Sequence, residues 1–103
     1  MAVAIDATEL THTERSELTD LLLRAAHETD DAAERDELLE RVVLMNRRVA
    51  QAVARRYRRR GVPDEDLEQA AYEGLTKAVQ KFDPRLRNDL LTYAVPTIRG
   101  EVQ

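Results

Sequence analysis

Apolar side chains recur along most of this chain at intervals of three and four, the spacing of one face of an α-helix. No stretch alternates with period two for long enough to predict a strand. Leu18, Leu21, Leu22 and Ala25 share one face and predict a first helix over residues 14–27, with Thr11 and Glu14 placed for a capping box at its start. Thr29, Asp30 and Asp31 interrupt the pattern, and Asp31 with Glu34 offers a second start signal. From there Leu38, Val42, Met45, Val49, Val53 and Tyr57 repeat at spacings of four or three, and Leu39, Val43, Ala50 and Ala54 widen the stripe. This predicts one long second helix over residues 32–60, on the order of 45 Å at ~1.5 Å per residue. Gly61 is its natural stop.

A third helix is expected to start near Pro63, with Asp64, Glu65 and Asp66 suited to the positive end of the helix dipole. Leu67, Ala70, Ala71, Leu75, Ala78, Val79 and Phe82 form its apolar face, and the small residues Ala70, Ala71 and Gly74 allow another helix to approach closely. Pro84 ends it. After a polar turn at residues 85–89, a fourth helix is expected from Asn88 or Leu90, with Pro96 early in it, where a missing donor costs least. The chain stops at Gln103 without a capping signal, which reads as an interrupted helix. The expected fold is all-α: a small bundle of about four helices, the last cut short.

Composition narrows the chemistry. The chain has 103 residues, enough for one small domain around one core. Cysteine is absent, so neither a disulfide framework nor thiolate chemistry is available. His12 and His27 are isolated, no loop has the carboxylate spacing of a metal site, and no cofactor is expected. Without a nucleophile–base pair or a phosphate loop, the chain does not read as an enzyme. No apolar run approaches the ~20 residues needed to span a bilayer. Residues 1–5 are apolar but too few for a signal peptide and lack basic flanks, so a cytoplasmic protein is expected.

The net charge of −4 conceals a strong segregation. Residues 1–46 carry a net −8, residues 47–60 hold seven arginines and no acid, residues 61–83 carry a net −4, and the remainder is +1. One concentrated basic stripe on an acidic chain is unlike a generic DNA coat. It suits a protein that meets an acidic surface in one place and a basic one elsewhere. The arginine run also reads as an ordinary solvated helix end, and Asp64, Glu65 and Asp66 as ordinary helix-start acids.

Three blocks carry the reading further. The stretch RRYRRRGVPDEDLEQAAYEGLTKAVQKFDP (residues 55–84) resembles the second conserved region of bacterial sigma factors, and LTYAVPTIRGEV (residues 91–102) resembles the next segment of that region. The blocks GVPDEDLEQ, KAVQKFDP and TYAVPTIRGE stand in the family's order and spacing, and the resemblance runs from about residue 38 to residue 103. The YAVPTIRGE form is typical of the stress-response and sporulation subgroup. On this reading residues 31–103 are a region 2-like helical domain, incomplete at its C-terminal end, and residues 1–30 are an arm or helix without an assigned role. The residues that finish the promoter-reading helix, and two further domains, are absent, so a fragment is expected.

The resemblance implies roles for particular residues. Asp66, Leu67 and Gln69 match the motif that docks on a coiled coil at the clamp of the largest polymerase subunit. An acidic, exposed helix start would pair with basic groups there while Leu67 anchors in an apolar groove, although Leu67 reads equally well as core. Tyr93, with Thr92 beside it, matches the aromatic that stacks on a base pulled from the duplex. Stacking of one ring is worth roughly 1–3 kcal/mol, comparable to the few kcal/mol that extruding a base costs. Arg99 matches a basic position near the upstream edge of opened DNA, and Arg55 and Arg56 join the DNA-binding set through the basic stripe. Tyr57 reads as core, and plain packing is the alternative for Tyr93.

The departures from the family pattern are specific. Pro96 and Thr97 replace the tandem tryptophans of many members, as in the stress subgroup. Leu86 and Arg87 replace the usual Arg and Gly, and Leu90 replaces an aromatic. Glu68 and Glu73 stand where apolar residues are common, and Ala70 replaces a frequent Glu. The implied partners are core RNA polymerase and promoter DNA, in transcription initiation. The alternative is an interaction module gripped by an anti-sigma factor. A plain duplex-binding domain fits less well, because the basic stripe is confined to one helix end.

Overall fold

A computed structural model describes residues 10–57, 61–85 and 89–103. It contains five helices: α1 His12–Glu28, α2 Ala32–Met45, α3 Arg47–Arg56, α4 Asp64–Lys81 and α5 Leu90–Val102. Among the described residues there is no strand, and the all-α expectation holds. The expectations placed on residues 1–5, 58–60 and 86–88 lie outside the described part of the chain.

Local sequence sets the helix starts. At α1 the Thr11 side chain accepts from the Glu14 N–H, and the Glu14 carboxylate accepts from the Thr11 N–H, both at 3.1 Å. This reciprocal box holds the Glu14 carboxyl below its usual range, chiefly through the Thr11 backbone bond. Asp31 caps α2 by accepting from the Ala33 and Glu34 N–H groups, and Asp89 caps α5 by accepting from Leu91. Pro63 precedes α4, and its carbonyl accepts from the Asp66 and Leu67 N–H groups. Gly61 turns the chain between α3 and α4 at φ +83°, a left-handed conformation that a side chain would strain.

The α1–α2 turn is locked by side chains. Arg35 of α2 reaches back to the carbonyls of Ala26 and Thr29, at 3.3 and 2.9 Å, satisfying acceptors that a helix end leaves open. The Thr29 hydroxyl donates to Glu34 at 3.1 Å. Leu23 of α1 then joins the same core as α2, α3, α4 and α5, beside Val42, Val53, Leu75, Leu90 and Ile98.

Three expectations are corrected. The buried face of α1 is Thr19, Leu23 and Ala26, whereas Leu21 is 64% exposed and Ala25 is exposed, because the helix turns the neighbouring stripe toward α2 and the core. The long second helix is two helices, α2 and α3, broken at Asn46, where φ is −107° and ψ 11°. A period of 3.6 does not reveal this break, at which the buried Asn46 side chain donates to Thr19, 27 residues away. Pro96 is not early in its helix. It is the seventh residue of α5, and the helix continues through it to Val102. There the fixed proline φ suits the helix, while one backbone donor is missing from its interior.

α4 is the central element, packed on α5, α3 and α2. Its closest approach is at Gly74, where a Cβ would lie 2.7 Å from the Ile98 Cα of α5. The expectation that small residues admit a neighbouring helix is met there. Lys77 and Glu101 close the same seam with a 2.7 Å ion pair. No helix among the described residues is long and apolar enough to cross a membrane.

Candidate functional site

The start of α4 presents a row of carboxylates. Asp64, Glu65 and Asp66 occupy its first turn, favourably placed at the positive end of the dipole. Asp66 and Gln69 are both exposed and, three residues apart, are neighbours on the helix surface. The Gln69 amide donates to Glu73 at 3.4 Å, a surface bond that a partner can replace. Leu67 points the other way. It is 4% exposed and belongs to the core cluster. It therefore packs the α4 start against the bundle instead of offering an apolar anchor to a groove outside it, and it fixes which face of the first turn looks outward.

Beside this helix start lies an open cleft of about 330 Å³ between α4 and the α2–α3 segment. Leu44, Arg47, Ala50 and Gln51 form one wall; Glu65, Glu68, Gln69 and Tyr72 form the other. Leu44 is 50% exposed, one of few large apolar side chains left in the open. The sequence reading did not single out Leu44, Arg47 or Tyr72. A signal was present for Leu44: it is a large apolar residue off the buried stripe of a strongly periodic helix. The cleft thus combines an apolar contact and a ring with carboxylates and one arginine, a mixture suited to the side of a charged helix.

α5 supplies the second surface. Its exposed residues Thr92, Tyr93, Pro96, Arg99, Gly100 and Gln103 fall on one continuous arc at 100° per residue, and Leu90, Ala94, Ile98 and Val102 are buried opposite. Tyr93 is 37% exposed. One side of its ring meets Phe82, with centroids 5.9 Å apart and planes tilted by 53°. The Phe82 contact steadies the ring while leaving part of it open. The Thr92 hydroxyl donates to Asp89 at 3.0 Å, so it also serves the helix cap. Just before this helix, Arg85 doubly engages Asp83, with a shortest contact of 2.7 Å, and the hydrogen bonds from Arg85 hold the Asp83 carboxyl at about 2.

On α3, Arg47, Arg48, Arg55 and Arg56 are exposed, and none forms a salt bridge among the described residues. Arg55 and Arg56 occupy the last turn, where the helix dipole favours cations. Tyr57, which follows, packs against the core as expected.

The molecule is therefore an all-α module with two distinct outward surfaces: an acidic helix start beside a cleft, and a helix arc that carries a tyrosine and an arginine. Residues 42–103, more than half of the chain, match the sigma-70 region 2 family, and the chain belongs to the sigma-70 family. It is 41% identical over 69 residues to the RNA polymerase sigma factor SigF of Mycobacterium tuberculosis, an alignment covering 67% of this chain and 25% of that protein. Over 82 residues it is 40% identical to the RNA polymerase sigma-F factor of Bacillus subtilis, covering 80% of this chain and 30% of that protein. With the sigma-G factor of the same organism it shares 32% over 99 residues, covering 96% and 36%. The chain thus spans between a quarter and about a third of these relatives' lengths. All three are RNA polymerase sigma factors, which agrees with the family read from the sequence blocks. No solved structure matches.

Proposed function

We propose that this chain binds core RNA polymerase through the start of α4 and the adjoining cleft, and contributes the base-stacking edge of a promoter-opening sigma factor through α5. The observation that carries the reading is the outward placement of Asp66 and Gln69 beside a cleft, within a chain of the sigma-70 family. The partner is the clamp coiled coil of the largest polymerase subunit. Its basic side chains meet Asp66 and Glu65, while Leu44 and Tyr72 give it an apolar seat. Leu67 acts from beneath as the support that aims this turn. On α5, Tyr93 offers a ring to an unpaired base, with Phe82 behind it, and Arg99 lies across the same exposed arc for a phosphate. Arg55 and Arg56 add sequence-independent attraction for DNA. Residues 31–103 form the polymerase-binding unit, and α1, within residues 1–30, buttresses it.

The test is a pull-down of core polymerase with the chain. Wild type should retain polymerase, and Asp66→Ala with Gln69→Ala should lose most of it while the circular dichroism stays that of the folded chain and unfolding remains cooperative. Absence of binding by a folded wild-type chain, or wild-type binding by the double variant, would sink the proposal. Competition by an anti-sigma protein is a separate outcome, and it would place that protein on the same surface.

A further inference from the structure

The apolar pattern runs unbroken from α2 into α3, and residues 32–56 contain neither glycine nor proline, yet the helix breaks at Asn46. Asn46 and Thr19 are the buried polar side chains of the described residues, 2% and 4% exposed. The Asn46 Nδ2 donates to Thr19 Oγ1 at 3.1 Å and to the Val42 carbonyl at 2.8 Å, so both amide protons are engaged. The Asn46 backbone N–H is shared between the Val42 and Val43 carbonyls, at 3.3 and 3.2 Å. The Val49 N–H donates to the Asn46 carbonyl at 3.0 Å, a three-residue step in place of four. A side chain inserted into the helix ladder is a recognised cause of a kink.

The same stretch lines the cleft. Leu44 just before the break, and Arg47 and Gln51 just after it, form the wall that faces Glu65, Gln69 and Tyr72 of α4. Straightening the chain at Asn46 would therefore move the two parts of that wall relative to one another.

We infer that Thr19 is a positioning residue: its hydroxyl holds Asn46 in the kinked conformation, so α1 sets how the α2–α3 wall meets the start of α4. The inference deepens the polymerase reading above and rests on it for its binding arm. Removing the hydroxyl leaves one Asn46 amide proton buried without a partner, which penalises the kinked state. The competing state is the straight helix that the local sequence prefers. α1 thereby acts on a docking surface from the far side of α2, through a side chain that touches no ligand.

Spin labels at the exposed residues Asp36 and Arg56 read the kink directly. A straight helix between them has a Cα separation of about 30 Å at ~1.5 Å per residue, and the kink shortens it. Thr19→Val should lengthen the distance toward the straight value, whereas Thr19→Ser, which keeps the hydroxyl, should leave it at wild type. Asn46→Leu should reproduce the Thr19→Val shift, since the freed Thr19 hydroxyl can bond a carbonyl of its own helix. This second variant carries the test if Thr19→Val does not fold. Equal distances in all four proteins would overturn the proposal. In parallel, Thr19→Val should bind a clamp coiled-coil fragment about three- to tenfold more weakly, and Thr19→Ser with wild-type affinity. A moved distance with unchanged affinity would overturn the link from Thr19 to the cleft. If wild type fails to bind the fragment, the polymerase reading falls instead, and the spin-label distances alone decide the positioning role.

Discussion

Gly74 is where two physical effects of a single methyl group oppose one another with predictable sign. Replacing a helical glycine by alanine normally stabilises a helix by ~1 kcal/mol, by removing backbone freedom from the unfolded chain. Here the added Cβ would sit 2.7 Å from the Ile98 Cα, 3.3 Å from the Ile98 nitrogen and 3.1 Å from the Glu101 Cγ. Two of these three atoms are helix backbone and cannot swing aside. Carbon atoms in good contact lie ~3.5–4.0 Å apart, so α4 and α5 must separate by roughly 1 Å, a gap that forfeits a quarter to a half of each dispersion well along the seam. Leu75 and Ala78 on α4 and Ile98 and Val102 on α5 are buried in the core that such a separation loosens. Overpacking typically costs ~1–3 kcal/mol, and rigid backbone neighbours place this case near the upper figure. Gly74→Ala is therefore expected to destabilise by about 2 kcal/mol net, lowering the melting temperature by ~8–16 °C at the ~4–8 °C per kcal/mol of a domain this size.

Gly100 is the internal control. It lies in α5 with nothing within 4 Å of a built Cβ, so Gly100→Ala should raise stability, by up to ~1 kcal/mol. Thermal and urea unfolding followed by circular dichroism at 222 nm would measure both. Opposite signs are the expected result. A Gly74→Ala chain that melts at or above wild type would refute the close α4–α5 crossing and the reasoning built on it.

Leu67→Ala should behave as a core truncation, costing ~2–5 kcal/mol in urea unfolding, whereas Asp66→Ala should cost no more than the ~0.3–1 kcal/mol of its helix-dipole contact while weakening polymerase binding. Tyr93→Ala should weaken binding of a single-stranded promoter oligonucleotide by ~1–3 kcal/mol in a fluorescence titration; Tyr93→Phe, which keeps the ring face, should retain most of it. The Asp83 carboxyl should titrate at about 2 by NMR, and Arg85→Ala should return it toward its ordinary 3.8. Because the folded value is the depressed one, the pair's contribution is present above about 3.8 and is lost as pH falls through about 2. Glu14 follows the same sign: the α1 capping box should hold above the ordinary carboxylate value of 4.5 and open as pH falls below it, seen in the amide shifts of Thr11 and Glu14.

Features that depend on neighbours a few residues apart could be read along the chain. The Thr11–Glu14 box, the Asp31 cap, the acidic start of α4 and the buried face of α4 all follow from 3.6-residue periodicity and cap chemistry. DLEQ and TYA, the motifs on which the proposed docking and stacking rest, are likewise contiguous. Tertiary packing was needed to reveal the break at Asn46, the pairing of Leu44 and Arg47 with Tyr72 across one cleft, and the ring of Phe82 behind Tyr93. Each of these joins residues from different helices. Asn46 shows the reason most clearly: periodicity counts apolar positions, and an asparagine in an apolar stripe gives no sign of whether a hydroxyl 27 residues away will meet it. Burial gives that meeting weight, because an amide left unpaired inside the bundle incurs its full desolvation cost.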